Sequence, residues 1–192
     1  MNKVEVLIEG YADVRPDGKW TASSTTTLVT NNKGKKIVVD PGCNRDLLLG
    51  ELDKASLTAE DVDYVFLTHH HLDHAINTAL FPKAIIVDFD SVQNGDLGWE
   101  PTSDMFSEGI EIIKTPGHEP THASLVVDTE EGKVCVAGDV FWWEKGKGQD
   151  TDLDYPDDFA SDMATLKESR KLVLKNSDWI IPGHGKKFKV AK

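Results

Sequence analysis

The chain has 192 residues, 39% of them hydrophobic, with 33 acidic against 21 basic side chains and a formal net charge of −12. That length and apolar content suit one folded domain with a buried core, spanning residues 1–192, and give no sign of a disordered or fibrous chain. The acidic balance counts against a general nucleic-acid binder, which normally presents a basic face. No apolar run reaches the ~18 residues that a membrane-spanning helix needs. The N-terminus, MNKVEVLIEG, lacks the apolar core and small-residue cleavage site of a leader peptide, so a soluble, cytoplasmic protein is expected. Cys43 and Cys135 lie beside apolar runs without CxxC spacing and read as buried free thiols.

Val4 to Ile8 alternates apolar and polar residues, which predicts a strand. Thr25 to Thr30 is rich in β-branched residues and predicts a second. The Asn31–Gly34 turn leads to a third, Lys36 to Asp40, stopped by Pro41-Gly42. Residues 45–55 have helical spacing, and Thr58 with Asp61 three residues on resembles a capped turn. Tyr64 to Thr68 reads as a buried strand, and HHHLDHAINTAL as a loop running into a helix. Ala84 to Val87 is another core strand, and 90–108 reads as a polar loop containing Trp99. Strands are expected at 109–114, 124–128 and 133–137, then a loop with Trp142, Trp143 and several lysines. Phe159, Met163, Leu166 and Val173 mark the apolar face of one helix ending near Asn176. A short strand, Trp179 to Ile181, precedes Pro182-Gly183-His184-Gly185. Two β-rich stretches, each followed by helix, predict two sheets packed face to face with helices outside.

The chemistry-bearing residues are clustered. All seven histidines fall within 69–74, 118–122 and 184, each segment beginning where a predicted strand ends. Strand ends on a rigid sheet are favoured places for sites. Packed imidazoles repel one another when protonated, so such a cluster is costly unless a metal or hydrogen bonds hold the rings neutral. Imidazole and carboxylate are natural zinc ligands. In THHHLDH, His69 and His71 sit two apart in a turn and can face one metal, while Asp73 and His74 can face a second. Each metal then lacks a ligand. His118 in TPGH, Asp139 in AGD and His184 in PGHG each follow a strand and are available to complete the set.

H-x-H-x-D-H, TPGH, AGD and PGHG, in that order, resemble the metallo-β-lactamase superfamily, with the likeness running from Asp40 to Gly185. The resemblance implies an α+β fold, a four-layer αββα sandwich. It implies two zinc ions, with iron or manganese as alternatives. His69, His71 and His118 would hold one metal, and Asp73, His74 and His184 the other, with Asp139 bridging them. A hydroxide between the metals would attack an electrophilic carbonyl or phosphorus, and Asp73 would orient it or shuttle its proton as the catalytic carboxylate. His122 and Asp40 are candidates for orienting ligands by hydrogen bond, Asp40 alternatively capping the strand-to-turn junction. His70 is expected to point elsewhere, and Cys43 to pack.

The substrate is less legible. The superfamily hydrolyses β-lactams, thioesters, lactones and nucleic-acid phosphodiesters. An ester, thioester, lactone or β-lactam carbonyl is the first reading. The alternative is a ribonuclease or phosphodiesterase, because GYADVRPDGKWTASSTTTLV and DWIIPGHGKKF are similar to a subgroup associated with RNA cleavage. The partner is accordingly a small molecule or RNA, and a homodimer is compatible with the sequence. Lys186 and Lys187 beside His184, with Lys145 and Lys147 after Asp139, could form a basic rim for an anionic substrate. Trp142, Trp143, Trp99 and Tyr155 are candidates for an aromatic wall, with one of the adjacent tryptophans expected in the core.

Overall fold

The computed structural model describes residues 1–191. Its first half runs β1 (Lys3–Ile8), β2 (Tyr11–Val14), β3 (Trp20–Ser23), β4 (Thr26–Thr30), β5 (Lys36–Val39), α1 (Arg45–Lys54), β6 (Tyr64–Phe66), α2 (Leu72–Ala75), β7 (Ile85–Val87), β8 (Val92–Asn94) and β9 (Leu97–Trp99). The second half runs β10 (Ile110–Lys114), β11 (Ala123–Thr129), β12 (Gly132–Trp142), α3 (Met163–Asn176), β13 (Trp179–His184) and β14 (Phe188–Lys189). One sheet has the order β1-β4-β5-β6-β7-β8-β9 and the other β10-β11-β12-β13-β14, while β2 and β3 form a separate hairpin.

Period-two alternation explains the layering. Ile37 and Val39 face the space between the sheets with Phe66 and Val87, while Val38 faces outward onto Leu48 and Leu52 of α1. In the second sheet Leu125, Val127, Val134 and Val136 point inward, and Val126, Cys135 and Ile180 point outward onto Leu166 and Val173 of α3. Each such buried side chain contributes about 1.5–3 kcal/mol by leaving water. The result is the expected helix–sheet–sheet–helix sandwich, an α+β architecture.

The helices start where the sequence supplies acceptors for unpaired backbone N–H groups. Asn44 accepts from the Leu47 amide at the start of α1, and Asp162 from those of Ala164 and Thr165 at the start of α3. Both helices bridge parallel strands, α1 joining β5 to β6 and α3 joining β12 to β13. The carboxyl ends of these four strands converge on one edge of the sandwich, where the clustered histidines lie.

Several expectations are corrected. Tyr11 to Ser23, to which no element was assigned, forms a hairpin, and the polar stretch 90–108, expected as a loop, contains a second, β8–β9, closed by Gly95-Asp96. The helix after the histidine loop is one turn, Leu72–Ala75, continued by a 3₁₀ segment, Ile76–Leu80. β12 runs on through Asp139 to Trp142, and β13 reaches His184, so both residues sit on strands rather than in the loops beyond them. Phe159 is left outside α3, which begins at Met163, and is 54% exposed. Among the described residues no helix is long and apolar enough to cross a membrane.

Candidate metal centre

His69, His71, His118 and Asp139 bring one donor atom each to within 4.8 Å of one another, and Asp73, His74 and His184 do the same beside them. Asp139 lies between the two groups. Its Oδ2 is 3.4 Å from His118 Nε2, 3.8 Å from His69 Nε2 and 3.7 Å from His184 Nε2, and its Oδ1 is 3.4 Å from His74 Nε2. Asp73 Oδ2 is 3.2 Å from His184 Nε2.

The outward nitrogens show which way each ring is protonated. His74 Nδ1 donates to Asp40 Oδ2 at 2.9 Å, His118 Nδ1 to Asp157 Oδ2 at 2.8 Å, and His184 Nδ1 to the Ser23 carbonyl at 3.2 Å. His71 uses Nε2, which donates to Glu119 Oε1 at 3.1 Å. Thr68 Oγ1 must donate to Asp40 Oδ2 at 2.7 Å, so it accepts from His69 Nδ1 at 3.0 Å. Carboxylates and carbonyls only accept, so every outward nitrogen keeps a proton, and a neutral ring turns a lone pair inward. With both rings neutral, His71 Nδ1 and His118 Nε2 would oppose one another at 3.2 Å as two acceptors. His69 Nε2, His74 Nε2 and Asp139 Oδ1 are buried without a hydrogen-bond partner. Each such orphan costs about 1–3 kcal/mol. A cluster of inward lone pairs and carboxylates fits a divalent cation.

The electrostatics agree. Burial holds His69 well below the usual imidazole range. Burial also disfavours charge on His74, but Asp139 and Asp40 outweigh it and hold the ring well above that range; on His118 burial is likewise outweighed, by Asp157 and Asp139. Asp139 resists burial because His74 and His184 hold its carboxyl well below the usual value, and His184 and His74 lower Asp73 in the same way. Without a cation, protons on His74 and His118 balance the acids. A cation held at the same place would displace them.

Local packing fixes this arrangement. A Cβ on Gly183 would lie 1.7 Å from Asp139 Oδ1, so only glycine lets β13 approach the carboxylate on β12. Asp40 adopts φ 48°, a left-handed conformation that, glycine apart, asparagine and aspartate tolerate best. There its carboxylate accepts from the Thr68 amide at 2.8 Å as well as from Thr68 Oγ1 and His74. It therefore props up the histidine loop, and its backbone carbonyl separately takes the Ser24 and Thr26 hydroxyls.

The profile of the metallo-beta-lactamase superfamily matches residues 20–109 and 88–184. The chain belongs to that superfamily. It is 34% identical to metallo-beta-lactamase domain-containing protein 1 of Xenopus laevis, over 100% of this chain and 83% of that one. A solved structure from Thermotoga maritima superposes with a TM-score of 0.73 at 21% identity, covering 98% of this chain and 99% of that one. AidC, a dizinc quorum-quenching lactonase, superposes with a TM-score of 0.63 at 20% identity, covering 88% and 75%. At these identities the two solved structures speak for the fold.

As a member of the metallo-beta-lactamase superfamily the protein is a metal-dependent hydrolase, and its histidine–aspartate cluster opens into a cleft of about 590 Å³. Asp157 and Glu119 are two functional candidates that sequence reasoning missed. Asp157 belongs to the irregular 143–162 segment, which Arg170 of α3 fastens by donating to the carbonyls of Leu153 and Tyr155. Nothing in the spacing from His118 signals that contact. Glu119, directly after His118, was open to suspicion as a neighbouring acid.

The remaining candidates divide. His122 is buried, and its Nδ1 lies 2.9 Å from Thr115 Oγ1, which also meets Ser124 Oγ; burial lowers the ring to about 3. His70 is turned away, 3.0 Å from Asp88. Trp142 lines the cleft with its ring 6.2 Å from His184, whereas Trp143 is 4% exposed and packs on Phe141 and Phe188. Trp99 and Tyr155 do not line the cleft. Neither do Lys186 and Lys187: Lys187 pairs with Glu131 and lies over Trp179. Cys135 is buried with its thiol pushed up to about 12, but Cys43 is only half-buried and reaches the cleft, its thiol donating to the Ala22 carbonyl.

Proposed function

We propose that the protein is a dinuclear zinc hydrolase of acyl compounds: esters, thioesters, lactones or β-lactams. The observation that carries this reading is the inward set of five imidazole nitrogens and two carboxylates, each outer nitrogen held by its own acceptor. His69, His71 and His118 would hold one ion, Asp73, His74 and His184 the other, and Asp139 would reach both. When bound, such ions supply a water acidified toward neutrality and a Lewis acid for a substrate oxygen. The chain's own part is to keep the imidazoles neutral and fixed. Asp73, its side chain only 24% exposed at the cleft floor and held ionised by His184 and His74, is suited to orient the reacting water and accept its proton.

The test is removal and return of metal. Protein stripped by a chelator should hydrolyse no phenyl ester, thioester, lactone or β-lactam, and added zinc should restore hydrolysis of at least one. Labelled RNA should stay intact throughout. RNA cleavage without acyl hydrolysis, or acyl hydrolysis indifferent to chelation, overturns the reading. Zinc at a hundredfold excess over its dissociation constant should add about 2.7 kcal/mol per site. For a chain of this size that raises Tm by about 5–10 °C, measurable by calorimetry.

Asp157 offers a second check on the same reading. Asp157→Leu removes the acceptor behind His118 and should weaken zinc binding by about 10–100-fold. Asp157→Asn keeps an acceptor oxygen and should lose less. Competition with a chromophoric chelator reads both values. Equal affinities for the two variants would separate Asp157 from the metal.

A further inference from the structure

Ten large apolar side chains are exposed among the described residues, and five of them, Val14, Trp20, Leu72, Ile76 and Phe159, line the one cleft that holds the histidine–aspartate cluster. They come from three separate segments. Val14 and Trp20 are cross-strand partners at the tip of the β2–β3 hairpin, Leu72 and Ile76 lie on the short helix and 3₁₀ turn, and Phe159 leans on Trp142 with ring centroids 5.7 Å apart. A soluble chain rarely gathers exposed apolar groups at one mouth without a ligand to cover them. Nor does any lysine or arginine line this cleft. The lining carboxylates, Asp73 and Asp139, belong to the donor cluster itself, and Glu119 stands behind His71. Beyond the centre itself, a chain of phosphates would meet hydrocarbon and no lysine or arginine there.

We propose that the cleft selects an uncharged substrate with an apolar acyl chain, the hairpin tip and Phe159 forming the acyl-binding wall. This rests on the acyl-hydrolase reading and names its substrate class. The reacting carbonyl lies at the cluster, and the hydrocarbon extends between Trp20 and Ile76 toward solvent. About 590 Å³ is within the usual range for a small organic ligand. Trp20, Val14 and Phe159 are 67%, 47% and 54% exposed, so truncating them leaves the sheet cores intact.

The experiment has two arms. In the first, zinc-loaded protein is given 4-nitrophenyl esters from acetate to decanoate. Each methylene fully buried in the wall is worth up to about fourfold in kcat/KM, and butanoate to octanoate should gain about 10–200-fold. Trp20→Ala and Phe159→Ala should each reduce the ratio of octanoate to butanoate by about fivefold or more. In the second, metal-free protein holding a solvatochromic dye is titrated with acetamide, hexanamide and decanamide, and displacement should strengthen with chain length. Ester hydrolysis with no chain-length dependence, or ratios unchanged in both variants, overturns the acyl wall. Chain-length-dependent displacement without hydrolysis of any ester supports the wall and overturns the reaction instead. RNA cleavage that falls with salt and ignores both substitutions overturns the wall in favour of a polyanion.

Discussion

Asp139→Asn is expected to abolish metal-dependent hydrolysis while leaving the fold in place. The carboxylate is buried on β12, with four imidazole nitrogens between 3.4 and 3.8 Å from its oxygens. Asparagine keeps the volume and one acceptor but removes the charge proposed to reach both ions. Loss of several kcal/mol of electrostatic stabilisation corresponds to ~10³-fold or more in rate. Zinc content should fall below two equivalents by elemental analysis. Without metal, the variant's Tm should stay close to that of the metal-free parent, since a neutral amide is easier to bury than a carboxylate. A variant retaining two zinc ions and the parental rate would refute the bridging role.

Gly183→Ala is expected to do comparable damage without touching a donor. The added methyl would sit 1.7 Å from Asp139 Oδ1 and 3.0 Å from the Gly138 carbonyl carbon. Gly183 is not among the positive-φ glycines, so alanine fits the backbone and the harm comes from the displaced carboxylate. Activity should fall by about 10²-fold or more, the scale seen when one preorganised group is misplaced. Overpacking should cost about 1–3 kcal/mol, read by denaturant unfolding. Gly50→Ala is the control: it lies in α1 with no atom near its Cβ position, and should add up to about 1 kcal/mol of stability with no change in rate.

The architecture was legible where hydrophobic periodicity carried it. Lys36–Val39, Tyr64–Phe66 and Ile85–Val87 read as continuous apolar runs because parallel central strands are covered on both faces. The two hairpins escaped notice although both have turn signals. Pro16-Asp17-Gly18 lies between β2 and β3, and Asn94-Gly95 opens the β8–β9 turn. Their strands are three or four residues long and mostly exposed, so no apolar pattern drew attention to them. The histidine clusters singled out the candidate site, because seven histidines at strand ends are conspicuous against an acidic chain. Asp157 and the apolar wall were not legible in the same way. They arise from segments that meet only in three dimensions, and the lysines after His184 suggested a basic rim that β14 instead directs toward Glu131 and Trp179.

Asp40 joins two things that the chain keeps apart. Through Thr68 it steadies the ring of His69, and directly it steadies His74, so one carboxylate backs a donor from each half of the centre. The two donor groups proposed to hold the ions therefore share one support. On the proposed two-ion reading, occupancy at either half would stiffen the shared strut, and the other half would bind with part of its ordering already done. Zinc uptake would then fill the centre as a pair over a narrow concentration range rather than in two separated steps, and loosening the strut would uncouple the pair before emptying either half.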